Sequence, residues 1–131
     1  MSTYNPLDPS ALAELKQIVG EKYVWTDREK LEPYSHDEVT SKKYVHYPEA
    51  VVLPANAAEV AEILKLANRR LIPVVPRGAG SGYACASVAY QGGFVLSTER
   101  MNQVLEIDEV NMVMVVEPGV RTADVHKIAL E

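Results

Sequence analysis

The chain has 131 residues, 47% of them hydrophobic, which suits one globular domain with a modest core and excludes a multidomain protein. Its formal net charge is −5, from 13 Lys+Arg against 18 Asp+Glu, and the basic residues are scattered, so a nucleic-acid partner is not expected. Cys85 is the only cysteine; that rules out an intramolecular disulfide or a cysteine-based zinc or iron–sulfur site and points to a reducing, cytoplasmic setting.

The first twenty residues lack a basic start followed by an apolar core and a small-residue cleavage site, and no apolar run approaches bilayer length. The chain therefore reads as soluble, not exported and without a transmembrane segment. Asp8 followed by Pro9 is an N-cap with proline at the first helical position. Leu12, Leu15, Ile18 and Val19 then form an apolar stripe that stops at Gly20, predicting a helix near 9–19. Thr26 and Glu29 have capping-box spacing and predict a short helix before Tyr34. Residues 34–49, with mixed charge and tyrosines, read as irregular.

From residue 50 the pattern sharpens. "AVVL" is a buried-type strand, Asn56 and Glu59 open a helix whose apolar face is Val60, Ile63, Leu64 and Ala67, and Arg69 and Arg70 suit its C-terminal dipole. "IPVVP" follows as a second strand, so residues 50–76 make a β-α-β unit with a right-handed crossover. "GGFVLS", "QVLEID" and "MVMVVEP" read as three more strands, the last two joined as a hairpin around Asp108–Asn111. Thr122 is placed to cap a final helix containing Val125, Ile128 and Ala129. That helix has barely completed two turns at Glu131, which suggests a fragment of a longer protein. The fold class is α/β (α+β): a β-α-β unit followed by a small mixed sheet with flanking helices.

Between the second and third of these strands lies "VVPRGAGSGYA", with glycines at 78, 80 and 82. Glycines at a strand end let backbone N–H groups approach an anion without interference from Cβ, and such nests bind phosphates. The dinucleotide fingerprint does not fit, because Gly80 is followed by Ser81, Gly82 and Tyr83 and no helical periodicity begins there. A Walker A loop does not fit either, for want of the lysine and hydroxyl residue after the last glycine. A tight surface turn explains the glycines equally well on composition alone. Arg77 beside the loop is either a phosphate partner or a solvated strand-end arginine.

Other reactive residue types carry less. His36, His46 and His126 have no metal-ligand spacing, and no metal is assigned. Cys85 has no adjacent cation or partner thiol in the sequence and reads as a small packing residue. The apolar run Met112–Val116 and the stripe at Val60–Ala67 read as core ahead of a partner surface.

Four segments occur in order, "AVVLPANAAEVAEILKLAN", "IPVVPRGAGSG", "GGFVLSTERMNQVLEID" and "VVEPGV", with "YSHDE" at 34–38 before them. On these segments residues 50–131 resemble the FAD-binding domain of the family that includes vanillyl-alcohol oxidase and p-cresol methylhydroxylase, and within it the glycolate oxidase and D-lactate dehydrogenase branch. The resemblance implies residues 1–49 as an N-terminal helical lead-in and 50–131 as the N-terminal part of that domain, its first subdomain. It implies that the loop Pro76, Arg77, Gly78, Ala79, Gly80, Ser81 and Gly82 wraps the FAD pyrophosphate with backbone amides, and that Pro118 and Gly119 lie along the cofactor.

Ser81 stands where covalently flavinylated relatives carry histidine, implying non-covalent FAD. "YACASVAYQ" at 83–91 departs from the small, glycine-containing run typical of the branch and brings Tyr83 and Cys85 near the cofactor. The implied activity is oxidation of a 2-hydroxy acid such as lactate or glycolate. An electron-transfer flavoprotein or an iron–sulfur subunit is implied as electron acceptor, and the catalytic groups are expected beyond Glu131. The rival expectations are a stand-alone, non-catalytic α/β module that binds a phosphorylated ligand or a protein, and a structural fragment that binds nothing.

Overall fold

A computed structural model describes residues 3–130. Helix α1 (Pro9–Val19) starts where the Asp8 carboxylate accepts the Ala11 N–H at 2.7 Å and ends at Gly20, whose φ of 92° few other residues adopt. Its buried line is Ala11, Leu15 and Val19, with Leu12 and Ile18 as half-buried flanks, so the inward face is turned slightly from the expected stripe.

A two-residue strand β1 (Val24–Trp25) follows, which local sequence did not predict. Helix α2 (Arg28–Leu31) is capped at Asp27 without a side-chain hydrogen bond; the Thr26–Glu29 box expected there does not form, because the helix starts one residue later than that spacing requires.

Strand β2 (Ala50–Val52) leads into α3 (Ala57–Arg70) and β3 (Val74–Arg77). Asn56 Oδ1 accepts the Glu59 N–H at 3.0 Å while the Glu59 carboxylate reaches back to the Ala55 N–H at 2.7 Å, a capping box displaced by one residue. Ile63, Leu66 and Ala67 are buried, whereas Leu64 is 48% exposed; the inward face runs through Leu66. The expected cationic end of α3 is tied to α1, with Arg69 paired to Glu14 at 2.8 Å and Arg70 to both Glu14 and Asp8.

The main sheet has the order β1-β2-β4-β3, where β4 is Phe94–Ser97. β2 and β3 both run parallel to β4, and β1 is antiparallel to β2. The β2–α3–β3 crossover therefore skips one position, and β4 fills it. All four residues of β4 are buried, as suits a central strand covered on both faces.

Period-two alternation then separates two cores. Ala50, Val52, Phe94 and Leu96 face α1 and α3, while Val51, Leu53 and Val95 pack with Leu31 and Tyr34 on the other side. The sheet is covered on both faces by residues from before position 50 as well as after it.

The last elements form a separate hairpin, β5 (Val104–Asp108) and β6 (Val113–Val116), with a bulge between Val104 and Glu106. Asp108 accepts from the Asn111 N–H at 2.9 Å and from its side-chain amide at 2.7 Å, which closes the turn at the predicted place. The Met112–Val116 run is not core here: Met112 is 91% exposed, and Val113 and Val115 are exposed too. Helix α4 (Thr122–Ala129) begins at Thr122 itself; Arg121 occupies the cap position and pairs with Asp124 at 3.3 Å, so Thr122 does not cap the helix. Among the described residues no helix is long and apolar enough to cross a membrane.

Candidate functional site

Because β3 and β4 run parallel, their carboxyl ends open on the same edge, the edge at which open α/β sheets receive ligands. Arg77 ends β3 and Ser97 ends β4, and the chain beyond each lines a cleft of about 760 Å³. Gly78 and Ala79 form one wall, Thr98 and Glu99 the floor, and Pro118, Gly119 and the start of α4 the opposite wall.

The far wall is held by main-chain bonds. The Gly119 N–H donates to Met101 O at 2.7 Å, and Thr98 Oγ1 donates to Pro118 O at 3.3 Å. A Cβ on Gly119 would lie 2.7 Å from Met101 O and nearer still to Thr98 O, so the close packing of this turn against the β4–β5 connection requires glycine.

The near wall is the glycine loop. Among the described residues, the amides of Gly78, Ala79, Gly80, Ser81 and Gly82 donate to no acceptor of the chain, and they form a row of unused N–H groups at a strand end. The glycines differ in cause. Gly80 has φ +70°, and a Cβ there would collide with the Arg77 guanidinium; the fold itself asks for glycine. A Cβ on Gly78 would meet nothing within 4 Å, so no contact inside the protein asks for glycine there.

Arg77 is only 8% exposed and does not line the cleft. Its Nη1 donates to His36 O at 2.8 Å and to Ser87 Oγ at 3.3 Å, and Nη2 donates to Pro33 O at 2.8 Å. The guanidinium also lies 5.4 Å from the Tyr34 ring centroid. Burial pulls its pKa below the usual arginine value, against the opposing pull of Tyr34, Asp37 and Glu99. It is therefore not the solvated strand-end residue that was one of the two alternatives left open by the sequence.

Asp37 completes the underside. Its carboxylate accepts the Val39 N–H at 2.9 Å and the Cys85 N–H at 2.7 Å; these amide bonds hold its pKa below the usual carboxylate range although burial opposes them. The Cys85 thiol, 3.8 Å from the same carboxylate, is pushed above its ordinary value by burial and by that charge. Tyr34 donates to Glu99, and Ser97 Oγ donates to the same oxygen at 2.9 Å; burial and the Glu99 carboxylate raise the Tyr34 pKa well above its ordinary value.

Of the residues singled out in the sequence, Gly78, Ala79, Pro118 and Gly119 share the cleft. Ser81 and Pro76 are exposed outside its lining, and Gly82 O accepts the Glu38 N–H at 3.1 Å. Thr98, Glu99, Asn102, Arg121 and Asp124 line the cleft without having been anticipated; for Thr98 the available signal was its place just after a strand. Pro33 and His36 act through carbonyl oxygens and leave no side-chain signature.

Residues 48–131 match the FAD binding domain family. D-2-hydroxyglutarate dehydrogenase of Stutzerimonas stutzeri is 36% identical over 122 residues, which is 93% of this chain and 26% of that protein. Glycolate oxidase subunit GlcD of Bacillus subtilis is 41% identical over 91 residues, covering 70% of this chain and 19% of that one. In fold, p-cresol methylhydroxylase superposes with a TM-score of 0.81 at 24% identity, over 92% of this chain and 24% of that structure. The chain thus spans about a quarter of these relatives or less.

The cleft suits the phosphate part of a dinucleotide. Of the unused amides, those of Gly78 and Ala79 belong to residues lining the cleft, an open place stands where a Cβ would sit on Gly78, and the exposed Arg121 adds positive charge at the rim, opposed by Glu99 and Asp124. Matched over most of its length and sharing the fold of p-cresol methylhydroxylase, the chain belongs to the FAD binding domain family.

Proposed function

We propose that these residues form the opening part of the FAD-binding domain of a flavin-dependent oxidoreductase that oxidises a 2-hydroxy acid of the lactate or glycolate type. Residues 1–49 serve as lead-in and 50–131 as the N-terminal part of the domain. The names of the relatives, a D-2-hydroxyglutarate dehydrogenase and a glycolate oxidase subunit, support the substrate class. The observation that carries the cofactor assignment is Gly78: nothing in the protein needs glycine there, yet the position faces the cleft beside a row of unused amides.

When bound, FAD supplies an acceptor for a hydride equivalent from the substrate carbon. The chain's own part is to bind and orient. The amides of residues 78–82 would donate to the pyrophosphate oxygens, Pro118 and Gly119 would flank the cofactor on the other side of the cleft, and Thr98 holds Pro118 in register through its hydroxyl. Ser81 offers no imidazole for a flavin bond, so the cofactor is held without a covalent link there. A protein partner, an electron-transfer flavoprotein or an iron–sulfur subunit, would be the electron acceptor. A cytoplasmic setting agrees with the single cysteine.

The test uses the full-length flavoprotein that carries this segment. It should purify with bound FAD that acid precipitation releases into the supernatant, and anaerobic addition of D-lactate or glycolate should bleach the flavin absorbance. Flavin retained on the precipitate would contradict the non-covalent assignment, and an absence of bleaching by any 2-hydroxy acid would contradict the substrate class.

A further inference from the structure

Resting on the assignment of FAD to the glycine loop, we propose that residues 33–38, which precede the matched stretch 48–131, are a working part of the cofactor site, with Arg77 and Asp37 as positioning residues that preset the loop.

The loop is fastened to this one segment at its start and toward its end, and rests on Arg77 in between. At its start, the Arg77 side chain runs back beneath the loop, and its two terminal nitrogens donate to the carbonyls of Pro33 and His36, both at 2.8 Å. In the middle, the backbone at Gly80 lies directly on the guanidinium, close enough that no Cβ fits between them. Toward its end, the Glu38 N–H donates to Gly82 O at 3.1 Å and Asp37 accepts the Cys85 N–H at 2.7 Å. None of these bonds consumes an amide of residues 78–82. The brace thus fixes the loop through its other groups and leaves its amide donors without a partner among the described residues.

The consequence is pre-organisation. A loop that must be ordered as the ligand arrives loses affinity to that ordering, whereas a loop already held does not. The guanidinium fork matters, because two carbonyls 2.8 Å from two different nitrogens demand a planar donor pair that a lysine ammonium does not reproduce. Removing Arg77 also strands those two carbonyls in a partly buried place. The same geometry commits one hydrogen of Nη1 and one of Nη2 to the 33–38 segment.

The experiment compares apo forms of the full-length flavoprotein as wild type, Arg77→Lys, Arg77→Met, Asp37→Asn and Gly78→Ala. Three quantities are read for each: the FAD dissociation constant by flavin fluorescence, the thermal midpoint of the apo form, and hydrogen exchange of the Glu38 and Cys85 amides, whose bonds to Gly82 O and to Asp37 fasten the loop. Arg77→Met and Asp37→Asn are expected to speed exchange of these amides and to weaken FAD binding by about tenfold or more. Arg77→Lys should recover the thermal midpoint in large part without recovering the affinity. Wild-type affinity and wild-type exchange of these amides in a folded Arg77→Met or Asp37→Asn protein would overturn the brace; if Arg77→Met does not fold, Asp37→Asn and Arg77→Lys decide. Gly78→Ala tests the underlying assignment by itself. Wild-type affinity there overturns both, whereas loss of affinity there combined with wild-type affinity in the brace variants overturns the brace alone.

Discussion

Gly80 rests on the guanidinium of Arg77: a Cβ at Gly80 would come 2.7 Å from Arg77 Nε and nearer still to Nη2, in a backbone conformation with φ +70°. Two glycines only two positions apart therefore have different reasons. Gly80 serves the fold, by letting the loop lie on a buried cation, whereas Gly78 lines the cleft and has no protein atom within 4 Å of where its Cβ would sit.

Gly80→Ala is expected to destabilise the chain by about 1–2 kcal/mol from the left-handed backbone alone, with more added by displacement of Arg77. Gly78→Ala should leave stability unchanged within about 0.5 kcal/mol or raise it slightly. Urea unfolding of the two variants beside wild type measures this, and equal losses would contradict the division of roles.

Asp37 predicts an acid limb in stability. Its folded pKa lies below the unfolded value because the amides of Val39 and Cys85 favour the carboxylate. Its contribution is therefore present above the unfolded carboxylate range and is lost as pH falls through the folded value. Asp108, lowered by Asn111, acts in the same direction. Asp37→Asn should flatten the decline in urea midpoint between about pH 7 and pH 3 without abolishing it; an unchanged slope would show that Asp37 is not held as described.

Cys85 should be a slow thiol. Burial and the Asp37 carboxylate both raise its pKa, although Tyr90 opposes them, so little thiolate is present at neutral pH. Its rate with a chromogenic disulfide reagent is expected below that of a cysteine in a short peptide, and Asp37→Asn should speed it. A rate at or above the peptide's would contradict the arrangement.

The 131-residue chain by itself is expected to bind FAD weakly. The cleft is open, and its walls come from two loops and one helix end, so little of a dinucleotide would be buried and the loop amides would still compete with water. Titration of the purified chain while following flavin fluorescence checks this; saturable binding at micromolar or lower FAD would contradict it.

Much of this structure is legible in the sequence where a local cause exists. The caps at Asp8 and Asn56 place α1 and α3, and the apolar runs place β2 and β4. What fails is set at long range. β1 exists because Val24 pairs with Val52, and the insertion of β4 between β2 and β3 has no signature in the residues that connect them.

Thr26 and Thr122 lose the cap position to their neighbours Asp27 and Arg121, because helix starts are settled by packing as well as by the side chain available. The apolar run at 112–116 looks like core by composition but lies open, since no described element covers it. In the site, the glycines and Pro118-Gly119 were readable as motifs. The inward course of Arg77 was not, because its partners are main-chain carbonyls 41 and 44 residues away.

The central claim is that the loop after β3 holds the phosphates of FAD, and Gly78 tests it most directly. Apo flavoprotein of full length, as wild type and as Gly78→Ala, should be titrated with FAD side by side and unfolded in parallel. A Cβ added at a residue that lines the cleft, with no protein atom within 4 Å to disturb, is predicted to weaken FAD binding by about tenfold or more while leaving the unfolding midpoint where it was. Equal dissociation constants for the two proteins would contradict the claim.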